Sequence, residues 1–397
     1  MSDQEFHRIK RLPPYVFESV NALKAKLRAA GEDVIDFGMG NPDMPTPKHI
    51  VEKLVETAWK PRTGRYSASR GIPGLRKAMA RYYARRFGVS LNPDTEVIAT
   101  LGSKEGFANL AQAITGPGDA ILAPDPAYPI HAYGFIIAGG VIRAVPAPSP
   151  EAYLRGVSSA LKTMRPAPTV LVLNYPSNPT AQVVDLDFYR DAVAIAASHD
   201  LIVLSDLAYS EIYFEGAPPP SILQVDGAKA RCVEVNSLSK TYAMAGFRVG
   251  MAVGSERLIA ALGRVKSYLD YGAYTPIQVA AAAALDGPQD CVDEIRRIYR
   301  DRRDVLVDAF GRAGWTIPSP AASMFAWAPI PERFAEMGSV EFSKWLIREA
   351  AVAVAPGLGF GEHGEGFVRI GLVENEQRIR QAARNVRRVF AEAPAGA

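Results

Sequence analysis

Between residues 96 and 253, short apolar runs alternate with stretches whose apolar positions recur every three or four residues. The runs at 96–101, 120–123, 141–145, 169–173, 201–204, 232–235 and 249–253 read as strands. The stretches at 103–114, 128–138 and 186–197 carry the helical period. Two of the strands, Val170-Leu171-Val172-Leu173 and Leu201-Ile202-Val203-Leu204, are apolar at every position. That pattern suits strands covered on both faces, and strand–helix alternation points the same way. The fold class expected is therefore α/β, a large domain with a mostly parallel sheet sandwiched by helices. Two helices precede the sheet, at 47–59 and 74–87, the first with Thr46 as N-cap and Pro47 in the first turn. From about Asp286 the pattern changes. A long charged helix (292–313), a strand-like run (323–327), a helix near 340–350, a Gly-rich loop (357–366), a strand (368–372) and an Arg-rich helix read as a smaller α+β region.

Composition narrows the function classes. The 397 residues exceed one ordinary domain of ~100–200 residues. The balance of 45 Lys+Arg against 42 Asp+Glu gives only +3, and no run of five or six like charges occurs. Nucleic-acid or membrane-surface binding by bulk charge is therefore not expected. The longest apolar runs, such as 277–285, fall short of a membrane span. Cys232 and Cys291 are the only cysteines and have no metal-ligand spacing, which fits a reducing cytoplasm. The polar, acidic N-terminus shows no signal peptide. No metal site is expected.

Three stretches carry candidate chemistry. Strand 232–235 runs into Asn236-Ser237-Leu238-Ser239-Lys240, placing a lysine near the sheet edge where open α/β sheets bind ligands. A poorly solvated lysine beside other cations loses its proton more easily and can form a Schiff base; the plainer reading is a surface lysine. Strand 201–204 ends in Ser205-Asp206-Leu207-Ala208-Tyr209, a carboxylate followed by a phenol. A buried carboxylate needs a cationic partner, although an Asp here could equally cap the next turn. Thr100-Leu101-Gly102-Ser103-Lys104 opens a helix, whose first N–H groups suit phosphate, or else Ser103 simply caps it. Gly357-Leu358-Gly359-Phe360-Gly361 lacks the context of a nucleotide loop and reads as a turn. Together the three stretches ask for an aldehyde, a basic ring nitrogen, a ring oxygen and a phosphate. Pyridoxal 5′-phosphate has all four.

These residues, in their order, resemble the class I/II aminotransferases of the fold-type I pyridoxal-phosphate enzymes over nearly the whole chain. Other marks are Gly40-Asn41-Pro42-Asp43, Tyr66 ahead of Gly71-Ile72-Pro73-Gly74, Asp125-Pro126-Ala127-Tyr128-Pro129, Asn174-Tyr175-Pro176-Ser177-Asn178-Pro179 and Val368-Arg369-Ile370-Gly371. The stretch from Arg11 to Phe17 and that from Lys266 to Gly272 resemble the alanine-synthesising glutamate–pyruvate transaminases, close to the LL-diaminopimelate aminotransferases. The resemblance implies a large domain at 45–285 and a small one from 1–44 and 286–397. It implies that Lys240 carries the cofactor and moves the α-proton, and that Asp206 pairs with the ring nitrogen. Tyr209 and Asn178 would bond the ring oxygen and Tyr128 would stack on the ring. Ser103, Lys104, Ser237 and Arg248 would hold the phosphate, with Tyr66 reaching it from the second subunit of a homodimer. Arg369, Gly40, Asn178 and Tyr15 would receive the amino acid or 2-oxo acid. Residues 265–274 contain no arginine to take a distal carboxylate, which points to a site not built primarily for dicarboxylates, with glutamate entering as one amino donor. The subgroup resemblance implies glutamate plus pyruvate as the pair. Aspartate, LL-diaminopimelate, methionine and aromatic amino acids are the alternatives, and C–S lyase chemistry is a further one.

Overall fold

The computed structural model describes residues 6, 9–13 and 16–393. A short strand, β1 (Ile35–Asp36), precedes the central sheet. The central sheet has seven strands: β2 (Val97–Thr100), β3 (Ala120–Asp125), β4 (Val141–Pro146), β5 (Pro168–Asn174), β6 (Ile202–Asp206), β7 (Cys232–Ser237) and β8 (Gly250–Gly254). Their spatial order is β2-β8-β7-β6-β5-β3-β4. β4, β3, β5, β6 and β7 are parallel, whereas β8 runs antiparallel to both β7 and β2.

The all-apolar strands are covered on both faces. Leu171 and Leu173 pack into one core with Tyr83, Tyr153 and Tyr189 from the helices on that side. Val170 and Val172, pointing the other way, join Phe107, Phe135 and Leu262. Full burial of such a side chain is worth ~1.5–3 kcal/mol, so the two-sided pattern places β5 in the interior of the sheet, between β6 and β3. The helices comprise Pro73–Phe87, Ser103–Ile114, Ile130–Ala138, Pro150–Thr163, Leu186–Ser198, Glu256–Leu269 and Thr275–Asp286. Three of these, 150–163, 256–269 and 275–286, were not expected from the periodicity.

Two local expectations need correction. The helix expected at 47–59 spans Lys48–Ala58, with Pro47 at the cap position. Thr46 does not cap it; its hydroxyl donates to the Ala243 carbonyl at 2.7 Å. The helix expected from residue 128 begins at Ile130, because Pro129 occupies its cap position. Tyr128 is thereby left outside the helix.

A second core gathers Phe310, Trp315, Phe334, Phe342 and Phe390 beneath a three-stranded sheet. That sheet is built from β9 (Phe325–Pro329), β11 (Ala355–Pro356) and β12 (Phe367–Gly371). The strand β10 (Val352–Ala353) pairs in parallel with β1, Ile35 opposite Val352. Ile35 and Phe37 also enter this second core, as do Tyr209, Ile212 and Phe214. Among the described residues, no helix is long and apolar enough to cross a membrane.

Candidate active site

β5, β6 and β7 end side by side in Asn174, Asp206 and Ser237, with Asn174 in register with Asp206. These three residues line a cavity of about 400 Å³. It lies where the strands of an open α/β sheet leave the sheet, the usual place for a ligand. Of the residues singled out in the sequence, Gly40, Ser103, Lys104, Tyr128, Asn178, Asp206, Tyr209, Ser237, Lys240, Arg248 and Arg369 all line it.

Asp206 is buried, and the two uses open to it are divided between its oxygens. Oδ1 accepts the Ala208 N–H at 3.1 Å, capping the following turn. Oδ2 lies 3.0 Å from Nε2 of His131, which is fully buried against the Phe107 ring. The Asn174 side chain donates to the Asp206 carbonyl at 3.0 Å. A buried carboxylate held this way is oriented and partly compensated without being neutralised by a strong cation. His131 was not singled out in the sequence. Its only local signal is a polar residue inside the otherwise apolar helix Ile130–Ala138.

Lys240 sits on the single turn Leu238–Thr241 that follows β7, and its Nζ donates to the Gly40 carbonyl at 2.7 Å. Burial, then the Arg369 and Arg248 guanidiniums, push its amine down to about 8. Desolvation disfavours the ammonium and the like charges add to this. The surface-lysine reading therefore fails.

Opposite, the helix Ser103–Ile114 begins after Gly102, and no side chain caps it. Ser103 is thus the first helical residue and not a cap, so the helix presents N–H groups and positive dipole toward the cavity. Arg248, itself in the left-handed region at φ 55°, reaches over to donate to the Leu101 carbonyl at 3.0 Å. A Cβ at Gly102 would lie 2.2 Å from the Arg248 Nη2, and one at Gly250 would lie 2.7 Å from the Ser103 nitrogen. Glycine at both positions lets helix end, guanidinium and Ser237 close into one cradle, Gly250 pairing with both Thr100 and Ser237.

Arg369, on β12, is 7% exposed, which excludes a solvent-facing role. Its Nη1 donates to Asn178 Oδ1 at 2.8 Å and its Nη2 to the Gly38 carbonyl at 3.1 Å. The guanidinium carbon lies 4.0 Å from the Phe325 ring centre and 4.6 Å from that of Phe360. Rings on the flanks and acceptors at the edge fix the guanidinium plane. Tyr209 is buried, and desolvation raises its phenol well above the usual range although Arg369 opposes this. The Lys104 Nζ lies 5.9 Å from the Tyr128 ring centre.

Two residues fall elsewhere. Tyr66 is 86% exposed and packs on the Tyr271 ring at 4.8 Å, and it does not line the cavity. Tyr15 lies outside the described residues. Within 265–274 the one cation, Lys266, is fully buried and 2.8 Å from both Glu105 and Asp270. Glu105 in turn accepts the Leu101 N–H at 2.7 Å, at the edge of the cradle. Lys266→Met should remove the cation shared by both carboxylates, leaving them only neutral donors such as the Leu101 and Gly272 N–H groups, and lower stability by roughly 3 kcal/mol. The check is a fall in the urea midpoint of the variant relative to the parent.

The donor set fits pyridoxal 5′-phosphate. An amine that deprotonates near neutrality suits an aldehyde, and an oriented buried carboxylate suits a basic ring nitrogen. Helix N–H groups, a guanidinium and a hydroxyl suit a phosphate, and the glycine-only cradle leaves no Cβ in the way. Among the described residues, no group of His, Cys, Asp and Glu could hold a metal ion.

Known proteins agree with this chemistry. The family model "Aminotransferase class I and II" matches residues 32–386. The chain is 64% identical to AatC of Rhizobium meliloti (strain 1021), covering 98% of this chain and 96% of that protein, whose own naming as an aminotransferase is provisional. It is 50% identical to the glutamate-pyruvate aminotransferase AlaC of Escherichia coli (strain K12), over 98% of this chain and 94% of that one. A solved structure of a single mutant of Thermus thermophilus aspartate aminotransferase matches with a TM-score of 0.88 at 29% identity, over 98% of this chain and 100% of that one. The chain belongs to the class I and II aminotransferases, fold-type I enzymes that transfer amino groups with pyridoxal 5′-phosphate as cofactor.

Proposed function

We propose that the enzyme moves an amino group from glutamate to pyruvate, giving 2-oxoglutarate and alanine, each half-reaction using the same cavity in turn. The observation that supports this pair is the state of Lys266. It is the only cation in the stretch expected to serve a distal carboxylate, and it is already committed to Glu105 and Asp270. One aromatic-flanked guanidinium, Arg369, is enough for a monocarboxylate such as pyruvate, and glutamate enters as the donor with its distal carboxylate outside a dedicated charge pair. The 50% identity to a glutamate-pyruvate aminotransferase favours the same substrates.

When bound, pyridoxal 5′-phosphate supplies an electron-withdrawing ring that stabilises negative charge at the substrate α-carbon. Lys240 would hold the cofactor and, once released, take and return the proton at that carbon; an amine lowered to about 8 is available for this near neutral pH. Asp206 would keep a proton on the ring nitrogen, with His131 and the Ala208 N–H holding its carboxylate in place. Tyr209 and Asn178 would donate to the ring oxygen, and Tyr128 would cover one ring face. Ser103, Lys104, Ser237 and Arg248 would hold the phosphate. Arg369 would take the α-carboxylate in a bidentate pair, its plane set beforehand by Asn178 and the Gly38 carbonyl. At Gly40 a Cβ would lie 2.6 Å from the Phe325 ring, so glycine there keeps the backbone close to the same carboxylate.

We read the molecule as a homodimer with shared sites, and residues 45–285 as its large domain against 1–44 with 286–397. Tyr66 packs on Tyr271 with both rings exposed, and Tyr268 and Tyr274 on the same stretch are also exposed, aromatic surface that a second copy would cover.

A donor panel tests the substrate pair: glutamate, aspartate, LL-diaminopimelate, methionine and phenylalanine, each with pyruvate, followed by bleaching of the cofactor's absorbance and by product analysis. Glutamate should exceed aspartate in kcat/KM by about tenfold, equivalent to ~1.4 kcal/mol. A preference for aspartate or LL-diaminopimelate would overturn the assignment. Release of ammonia without a keto-acid acceptor would indicate lyase chemistry instead.

A further inference from the structure

The Gly-rich stretch after β11 folds as two short turns, Gly357–Phe360 and Glu362–Gly364. It is fastened to the end of β3. The Ala127 N–H donates to the Phe360 carbonyl at 2.8 Å. The His363 N–H donates to Asp125 Oδ1 at 3.3 Å, and His363 Nδ1 lies 2.9 Å from Asp125 Oδ2. Asp125 is the last residue of β3 and is 6% exposed, so without these donors its carboxylate would be costly to bury. Gly361, at φ +132°, makes the approach possible, since a Cβ there would lie 1.9 Å from Asp125 Oδ1.

The residue held between these bonds is Phe360. It is buried and lines the cavity. One side of its ring faces the Arg369 guanidinium at 4.6 Å. Phe17 and Trp327 meet it at 5.3 Å and 5.9 Å, with interplanar angles of 69° and 86°. The ring therefore touches the carboxylate anchor and closes part of the space beside it.

We propose that Asp125 is a positioning residue and Phe360 a specificity-determining one. By gripping the turn at 361–363, Asp125 holds the Phe360 ring against Arg369, and so fixes both the guanidinium plane and the room left for a substrate side chain. The inference rests on Arg369 as the α-carboxylate anchor.

The test uses the holoenzyme. His363 has a half-exposed side chain, so His363→Ala should fold. It should raise KM for the amino donor roughly three- to tenfold, the worth of about one hydrogen bond, with kcat within about twofold and the cofactor absorbance unchanged. His363→Asn, whose amide can still donate to Asp125, should bring KM back to within about twofold of the parent. Phe360→Ala should raise the kcat/KM of phenylalanine relative to alanine by about tenfold or more, as a hydrophobic wall is removed. An unchanged KM in both His363→Ala and Asp125→Asn, a loss confined to kcat, or an unchanged specificity ratio in Phe360→Ala would overturn the proposal. Failure of the underlying anchor reading shows separately, as an unchanged KM in Arg369→Lys.

Discussion

Replacing Lys240 by alanine should lower transamination by at least about 10⁴-fold and abolish the borohydride-reducible adduct with pyridoxal phosphate. The size follows from the two tasks given to one amine, covalent attachment and proton transfer at the α-carbon, the second of which alone contributes about 10²–10⁴. The fold should survive, because the side chain makes one hydrogen bond, to the Gly40 carbonyl, and otherwise sits against two like charges. Lys240→Arg should be nearly as inactive, since a guanidinium keeps its proton. A persisting adduct in the alanine variant would remove Lys240 from the mechanism. The same variant probes the shared site: mixing it with Tyr66→Phe should restore part of the activity in the heterodimer, and no recovery would argue for self-contained subunits.

Asp206→Asn should reduce kcat by about 10²–10³-fold, the scale seen when one preorganised electrostatic group is removed. An amide can occupy the same space between His131 and Ala208, but it cannot hold a proton on a ring nitrogen by charge. Removal of the α-proton would become slower, so an α-deuterated donor should show a larger isotope effect in the variant than in the parent. His131→Phe should cost less, about tenfold, because the carboxylate remains and loses only one of its two side-chain-directed holds. A full-rate Asp206→Asn enzyme would exclude the ring-nitrogen role.

Much of this arrangement was legible along the chain. Burial on both faces of β5 and β6 follows from their unbroken apolar runs, and those runs locate the residues that come straight after them, Asp206 among them. Lys240 follows its strand in the same way. The errors were local and had local causes. Pro47 and Pro129 each sit one step outside the helix they were expected to join, because a proline tolerates the cap as well as the first turn. The helix 275–286 escaped notice because most of its length is alanine and other apolar residues, which leave no polar face to mark a period.

What the sequence determined by itself is the alternation of buried strands with helices and the order in which amine, carboxylate and helix end reach one edge of the sheet, since side-chain period and strand termini are encoded within a few residues. What only the tertiary structure decided is which of these groups face each other. The reversal of β8 brings Arg248 to the start of the helix Ser103–Ile114, where it donates to the Leu101 carbonyl. His131 meets Asp206 across 75 positions, Arg369 meets Asn178 across 191, and Lys266 is taken up by Glu105 across 161. Hydrophobic period is local information, but a buried polar group's partner is set by which distant element packs against it, and that pairing exists only in the folded chain.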